Sequence, residues 1–154
     1  MVTLSLDTSQ IVDLLRRRDP GAKACFDARV LSGQPLMVSA PVRHELVSGA
    51  SSSASPDRRL VQLANLLAQC SPVEFSPADA EASGRLSARL RLAGTPIGDM
   101  DTLIAGQALA RSWTVVTRNV RHFGRVEGLP LIDWTAGADP LSAEVIAERV
   151  KAAQ

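Results

Sequence analysis

Five short apolar runs dominate the sequence, and each is separated from the next by segments with helical periodicity. The runs span residues 2–6, 35–40, 71–75, 114–117 and 129–134. Their length and their flanking turn residues predict strands. Strands that alternate with helices pair in parallel through crossover connections. The sequence therefore predicts an α/β fold with a mostly parallel sheet of about five strands and helices on both faces.

Size and composition limit the class of protein. The chain has 154 residues, of which 45% are hydrophobic and 21% charged, and this predicts one globular domain with a substantial core. A formal net charge of +1 identifies neither nucleic acid nor a membrane as partner. Met1 precedes a predicted strand directly and no apolar run reaches membrane-spanning length, so we expect no membrane association and a cytoplasmic location. Cys25 and Cys70 lack metal-ligand spacing and predict no disulfide framework.

Two carboxylates open the most apolar of the predicted helices. The segment from Met100 to Ser112 has apolar residues at helical spacing and no proline, which predicts a buried helix. Asp99 and Asp101 then occupy its N-cap and first turn, where unpaired backbone N–H groups favour ionised carboxylates. One carboxylate suffices for a cap, and two repel each other unless water or a cation separates them, so the pair indicates a divalent cation. A cap plus a solvated aspartate explains the same residues equally well.

Three other predicted elements contribute polar side chains. Asp7 ends the first strand, where ligands bind in open α/β sheets, but it can also cap the next helix. Asn119 follows the fourth strand, and its amide oxygen can hold a metal or its water, or cap a turn. Glu45 shares an apolar helical stripe, where a carboxylate is costly to bury unless it is paired or binds metal. An ion pair with Arg43 or Arg58 is the alternative.

These polar side chains can converge on one crevice at the carboxyl ends of the strands. A pocket of four carboxylates without Cys or His ligands suits Mg²⁺ or Mn²⁺ better than zinc. Such metals serve phosphoryl transfer, in which a metal-activated water attacks a phosphodiester. The sequence contains no Walker or GxGxxG loop, so nucleotide binding of those kinds has no support.

Four motifs in this order resemble the PIN-domain ribonucleases, in particular the VapC toxins of type II toxin–antitoxin systems. The matching residues are Leu6-Asp7-Thr8-Ser9, His44-Glu45-Leu46, Ile97-Gly98-Asp99-Met100-Asp101-Thr102-Leu103-Ile104-Ala105, and Thr117-Arg118-Asn119-Val120-Arg121-His122-Phe123, with Val126-Glu127-Gly128-Leu129 and Trp134 beyond them. The resemblance covers residues 2–134. It implies a PIN-like three-layer α/β/α sandwich and a Mg²⁺- or Mn²⁺-dependent endoribonuclease that hydrolyses RNA.

The resemblance also assigns roles to individual residues. The acidic cluster of the family falls on Asp7, Glu45 and Asp101, and Asp99 is a further acid; the implied metal ligands are Asp7, Asp101 and Asp99. Thr8 and Thr117 match its supporting hydroxyls. Asn119 stands where the family has a fourth acid, and this neutral residue places a two-metal site in doubt. The family further implies a homodimer and a cognate antitoxin, a segment of which covers the active-site groove.

Two other functions remain open at this point. A catalytically silent regulator that binds antitoxin or RNA would have the same fold, and Asn119 keeps this alternative open. A metal-dependent phosphatase would use Asp99 and Asp101 as its acidic pair. That chemistry needs a nucleophilic aspartate at a strand end, however, and the preceding Thr95-Pro96 and Gly98 are poor strand formers.

The chain divides into a predicted nuclease domain, residues 1–134, and a helical extension, residues 135–154. In the extension, Asp139 and Pro140 are the predicted N-cap and first helical residue. An apolar stripe follows, formed by Leu141, Val145, Ile146 and Val150, and we expect it to dock on its own domain or on a dimer partner. The predicted helix over 58–69 has more apolar residues than one stripe needs, which predicts burial on two sides, the second against a dimer partner.

Overall fold

The computed structural model describes residues 2–153 and contains one five-stranded, all-parallel sheet with strand order β3-β2-β1-β4-β5. The predicted parallel α/β fold is therefore confirmed. The elements are β1 (Leu4–Leu6), α1 (Thr8–Arg16), α2 (Pro20–Leu31), β2 (Leu36–Ser39), α3 (Ala40–Ser51), α4 (Pro56–Leu67), β3 (Ser71–Val73), α5 (Pro77–Leu92), α6 (Asp99–Ala110), β4 (Thr114–Val116), α7 (Val120–Phe123), β5 (Leu131–Ile132) and α8 (Ala143–Ala152).

The two central strands set the position of the candidate site. Every residue of β1 and β4 is buried, as expected for strands covered on both faces. They pair in parallel with Leu6 opposite Val116, so that both strands end at the same level. The strand order reverses between them, and in open α/β sheets ligands bind at such a switch point, beyond the carboxyl ends of the strands. Asp7 and Thr117 are the next residues of the two strands.

Within the described residues, side-chain caps start three helices, α2, α5 and α8. The side chain of Asp19 accepts a hydrogen bond from the Ala22 N–H and caps α2. Helix α1 ends at Arg16, because Arg17 adopts a left-handed backbone with φ 51°. Helix α6 begins at Asp99 with Gly98 as its N-cap, so that Asp99 is the first helical residue and the prediction of an N-cap at Asp99 is wrong by one position.

A buried carboxylate joins the start of α5 to the end of α6. Ser76 and Asp79 form a capping box at the start of α5. Asp79 also accepts hydrogen bonds from Arg111 Nη2 at 2.7 Å and Gln107 Nε2 at 2.9 Å. These bonds, those from Arg111 first, hold the pKa of Asp79 well below its usual range despite burial. The ion pair therefore fixes α6, which carries Asp99 and Asp101 at its other end.

Helices α5 and α6 also pack so closely that one contact requires glycine. A Cβ on Gly106 of α6 would lie 2.4 Å from Ser83 Cα of α5, whereas a Cβ on Gly84 would meet nothing within 4 Å. We expect Gly106→Ala to lower the free energy of unfolding by about 2–3 kcal/mol, because backbone atoms must move apart. The matched Gly84→Ala change should raise it by about 0.5–1 kcal/mol through helix propensity. Urea denaturation measures both, and equal stability of the two variants would contradict the close packing.

Helix α4 is buried on one side only within this chain, so the predicted burial on two sides does not occur in the single chain. Leu63 and Leu67 belong to the core, but Val61 is 60% exposed. The apolar residues on the outer side are therefore available to solvent or to another molecule. The contact with a dimer partner stays a prediction.

The extension forms α8 and packs on its own domain. Its N-cap is Ser142, whose side chain accepts from the Val145 N–H, so the predicted start at Asp139 and Pro140 is wrong. Ile146 and Val150 contact Gly124 so closely that a Cβ there would lie 2.8 and 2.7 Å from their methyl carbons. The predicted apolar stripe thus covers the end of α7. The division of the chain at residue 134 stays a prediction.

The remaining apolar residues form one core around the sheet. Cys25 and Cys70 are free thiols, as predicted, and burial raises the pKa of Cys70 to about 11. Within residues 2–153, no helix combines the length and apolar character that a membrane crossing requires.

Candidate active site

Asp7 is buried at the switch point and is held by two hydroxyl groups. Its Oδ2 accepts hydrogen bonds from Ser9 Oγ at 2.7 Å and Thr117 Oγ1 at 2.8 Å. The residue occupies the N-cap position of α1, yet its side chain makes no capping hydrogen bond, so capping does not explain it. Burial raises the pKa of Asp7, and the charge of Asp101 adds to this effect, whereas the bonds from Ser9 and Thr117 oppose it.

Asp101 lies in the first turn of α6 and faces the loop after β4. Its Oδ2 is 2.8 Å from His122 Nδ1 and accepts a hydrogen bond from Asn119 Nδ2 at 3.1 Å. The backbone N–H of Asn119 donates to Thr117 Oγ1 at 2.9 Å, which is the same hydroxyl that binds Asp7. Thr117 therefore connects the two carboxylates. Asn119 donates to Asp101 through its amide nitrogen and makes no side-chain cap of α7, so the predicted capping role is not seen. Its role in holding a metal or the water of a metal stays a prediction.

Glu45 is half-buried on α3 beside α1. Its Oε1 accepts a hydrogen bond from Thr8 Oγ1 at 2.8 Å. In the part of the chain that the structure describes, Glu45 forms no ion pair with Arg43 or Arg58. The alternative of a surface ion pair therefore has no support. Thr8 follows Asp7 directly in the chain, so this bond places Glu45 beside the segment that carries the buried carboxylate.

Asp99 differs from the other predicted acids. It is exposed at the start of α6 and makes no side-chain hydrogen bond among residues 2–153. Residues two apart on a helix point in different directions, so Asp99 and Asp101 do not share one face. The structure therefore brings Asp7, Asp101, Thr117 and Asn119 into one network, places Thr8 and Glu45 beside it, and leaves Asp99 at the rim.

Sequence reasoning missed two polar partners. Ser9 binds Asp7 and also accepts from the backbone N–H of Arg118 at 3.1 Å, which ties α1 to the loop after β4. His122 contacts Asp101 and Asn119. Both residues lie inside the motifs that resemble the PIN-domain ribonucleases. Their spacing could have indicated these contacts, because Ser9 follows Asp7 by two positions and His122 follows Asn119 by three.

The donor set fits a hard divalent cation held by few protein ligands. Among residues 2–153, no three His, Cys, Asp or Glu side chains form a ready-made metal cage. Asp7 and Asp101, however, are two carboxylates close enough for one to raise the pKa of the other. A cation beside them would relieve this repulsion. Mg²⁺ commonly binds through one or two carboxylates and keeps several waters, which this pair can provide for.

Comparison with known proteins identifies the family to which the chain belongs. A family model for the PIN domain matches residues 4–129. The chain belongs to the PIN domain family. Its curated relatives show that it is a PIN-domain protein of the VapC type: the tRNA(fMet)-specific endonuclease VapC of Shigella flexneri is 30% identical over 135 residues, 88% of this chain and all of the relative. Ribonuclease VapC2 of Haemophilus influenzae is 28% identical over 134 residues, 87% of this chain and 99% of the relative.

Solved structures agree with this assignment. The DNA-bound VapBC complex of Salmonella typhimurium contains a chain that aligns with this PIN-domain protein at a TM-score of 0.80 and 28% identity, over 87% of this chain and 99% of the other. A chain of VapBC2 from Rickettsia felis, bound to a DNA fragment from its promoter, aligns at a TM-score of 0.80 and 27% identity, with the same coverage. The predicted three-layer α/β/α PIN fold is thus confirmed.

Proposed function

We propose that this PIN-domain protein is an endoribonuclease that depends on Mg²⁺ or Mn²⁺ and acts as the toxin of a type II toxin–antitoxin pair. The observation that carries the proposal is the buried Asp7 beside Asp101 at the switch point of the sheet. A buried carboxylate with a raised pKa and a second carboxylate nearby is typical of functional sites. The VapC relatives named above are themselves ribonucleases.

Each side chain of the site has a role in this reaction. Asp7 and Asp101 would hold the metal, with Asp7 oriented by Ser9 and Thr117, and Asp101 oriented by His122 and Asn119. When bound, the metal activates water and neutralises the charge that develops on the phosphate. Asp99 adds a negative charge at the N-terminus of α6. Asn119 is neutral and cannot supply this charge.

Glu45 orients the attacking water in this proposal. Thr8 occupies its Oε1, which fixes the carboxylate on the side of α3 that faces the start of α1. The carboxylate keeps acceptor capacity for a proton of the water, because each ionised carboxylate has about four lone-pair sites. Thr8 therefore acts as a positioning residue for Glu45.

The structure disfavours the phosphatase alternative. Asp99 and Asp101 lie on helix α6 after a glycine N-cap, whereas that chemistry needs its nucleophilic aspartate at the end of a strand. A catalytically silent regulator would keep the same fold, and only an activity measurement separates it from the nuclease.

The proposed partners are RNA and a cognate antitoxin, and a second copy of this chain is proposed to form a homodimer. Solved relatives of this type are VapBC toxin–antitoxin complexes.

A groove of about 230 Å³ begins at Thr8 and Glu45 and continues between α1, α3 and α4. Val12, Leu15, Leu46 and Leu63 give this groove an apolar wall. We propose that a segment of the antitoxin covers this groove and so blocks the site.

Purified protein tests the proposed function directly. We expect cleavage of single-stranded RNA in the presence of Mg²⁺ or Mn²⁺, none in excess chelator, and no hydrolysis of a small phosphate monoester. Sequencing of RNA ends after brief expression in cells should show new internal ends. An inactive protein that still binds RNA or antitoxin would establish the silent regulator, and activity on the monoester alone would establish the phosphatase.

A further inference from the structure

A basic cleft lies next to the candidate active site, between the loop that follows β4 and the last turn of α8. Arg118, Arg121 and Arg149 line it, together with Asn119. Its other lining residues are apolar, and no carboxylate is among them. Arg118 comes from the loop, Arg121 from α7 and Arg149 from the extension, which lies beyond the residues matched by the PIN family model.

Two of these arginines form ion pairs with buried carboxylates. Arg118 Nη1 donates to Asp13 Oδ2 at 2.7 Å, and Arg149 Nη1 donates to Asp133 Oδ2. The carboxylates are only 5% and 4% exposed, whereas the arginine side chains are 44% and 35% exposed. A guanidinium has five N–H donors. Each arginine is therefore fixed in orientation and keeps donors for a ligand in the cleft.

Three arginines are the only charged residues that line the cleft in the part of the chain that the structure describes. Arg118 lies within electrostatic range of Asp133, the partner of Arg149, so that the two arginines share the field of one carboxylate. Arg121 is exposed and forms no ion pair within residues 2–153. Arg118 also lies within range of Asp19, but none of these carboxylates lines the cleft, so its charged lining is entirely positive. A fixed fork of N–H donors in such a lining suits a phosphate group, which an arginine binds through two parallel hydrogen bonds.

The position of the cleft indicates which phosphate it binds. Asn119 lines the cleft and also donates to Asp101, so the cleft and the candidate metal site share this residue and lie next to each other. We propose that it binds a backbone phosphate of single-stranded RNA beside the phosphate that is cleaved, an inference that rests on the proposed function. Contacts of this kind hold the register of a nucleic acid without reading its sequence. The extension thereby contributes Arg149 to substrate binding.

The test measures binding of a mixed-sequence, single-stranded RNA oligonucleotide in excess chelator, so that no cleavage occurs. We expect Arg121→Gln to raise Kd about 5- to 10-fold at 0.1 M salt for every sequence tried. The slope of log Kd against log salt concentration should fall by about 0.7, the value for one phosphate contact to a single strand. Arg149→Gln alone leaves the Asp133 carboxylate buried without its ion-pair partner. The Arg149→Gln/Asp133→Asn double variant replaces both charged side chains with neutral amides, and its Kd for RNA tests the contribution of Arg149.

The control is Arg85→Gln, which removes the same charge from the exposed face of α5. Arg85 is 71% exposed, makes only a 3.9 Å ion pair with Glu81, and does not line the cleft. We expect its Kd and salt slope to match those of the wild type. An equal loss in this control would overturn the proposal, because net charge alone would then explain the effect.

Four further outcomes decide the proposal. Unchanged RNA affinity in folded Arg121→Gln and in the folded double variant would overturn it, and so would a wild-type protein that binds no RNA. Loss of antitoxin binding with unchanged RNA binding would assign the cleft to the protein partner and overturn it as well. A wild-type protein that binds RNA through the cleft but cleaves none would contradict the nuclease function and support the cleft.

Discussion

The Asp101→Asn variant is expected to cleave RNA about 10³-fold more slowly than the wild type, or slower still, while it keeps its fold. Loss of a charged metal ligand removes several kcal/mol of transition-state stabilisation, and each 1.36 kcal/mol corresponds to a tenfold change in rate. The amide oxygen of the new side chain can still accept from Asn119 and His122, so the network around the residue is preserved. Cleavage rate against Mg²⁺ concentration measures the effect.

Asp7→Asn should abolish cleavage and toxicity in cells in the same way. Burial raises the pKa of Asp7, so its ionised form costs folding free energy at neutral pH, and the neutral amide removes this cost. We therefore expect the variant to be as stable as the wild type or more stable in the absence of metal. Full activity of either Asp101→Asn or Asp7→Asn would refute the assignment of the metal ligands.

Asp99→Asn is the matched comparison on the same helix. Because Asp99 is exposed and outside the hydrogen-bonded network, we expect a smaller effect, a rise of about tenfold in the Mg²⁺ concentration needed for half-maximal activity. Asn119→Asp in that background should recover part of the loss by restoring a negative charge. An Asp99→Asn variant with wild-type metal dependence would show that this acid serves only the start of α6.

Metal ions are expected to stabilise the folded protein strongly. At a free Mg²⁺ or Mn²⁺ concentration of one hundred times Kd, binding to the native state alone adds about 2.7 kcal/mol to the free energy of unfolding. For a chain of this length that corresponds to a rise in Tm of about 5–10 °C. The physical source is the repulsion between Asp7 and Asp101, which the cation removes. Thermal denaturation at millimolar metal measures the shift.

The rise in Tm caused by metal is expected to depend on pH. The folded pKa of Asp7 is raised above its unfolded value, so as the pH falls the native protein takes up a proton on Asp7 before the unfolded chain does. The proton competes with the metal for the carboxylate, and the stabilisation by metal should therefore shrink as the pH falls toward the raised pKa. Asp7→Asn and Asp101→Asn should show little stabilisation at any pH. An unchanged Tm of the wild-type protein in both metals would contradict the metal site.

The local pattern of the sequence is sufficient for the fold class and for several helix ends. Alternation of short apolar runs with helical segments led to the parallel sheet, because each run can bury its side chains only between covering helices. Asp19 and the Ser76–Asp79 box act within three residues of their partners, so sequence alone reveals them. The predicted start of α8 is wrong because Asp139 and Ser142 can both cap a helix. Packing of α8 against Gly124 favours the helix that begins after Ser142.

The sequence by itself determined which polar side chains stand at strand and helix ends or on an apolar helical stripe, and hence the candidate acids Asp7, Glu45 and Asp101. Only the tertiary structure decided which of them meet. The Thr117–Asp7 bond joins residues 110 positions apart, and the Thr8–Glu45 bond joins residues 37 positions apart. Such contacts depend on strand order and register, which no local periodicity encodes. For the same reason the cleft that combines Arg149 with Arg118 and Arg121 emerges only when α8 docks beside the loop after β4.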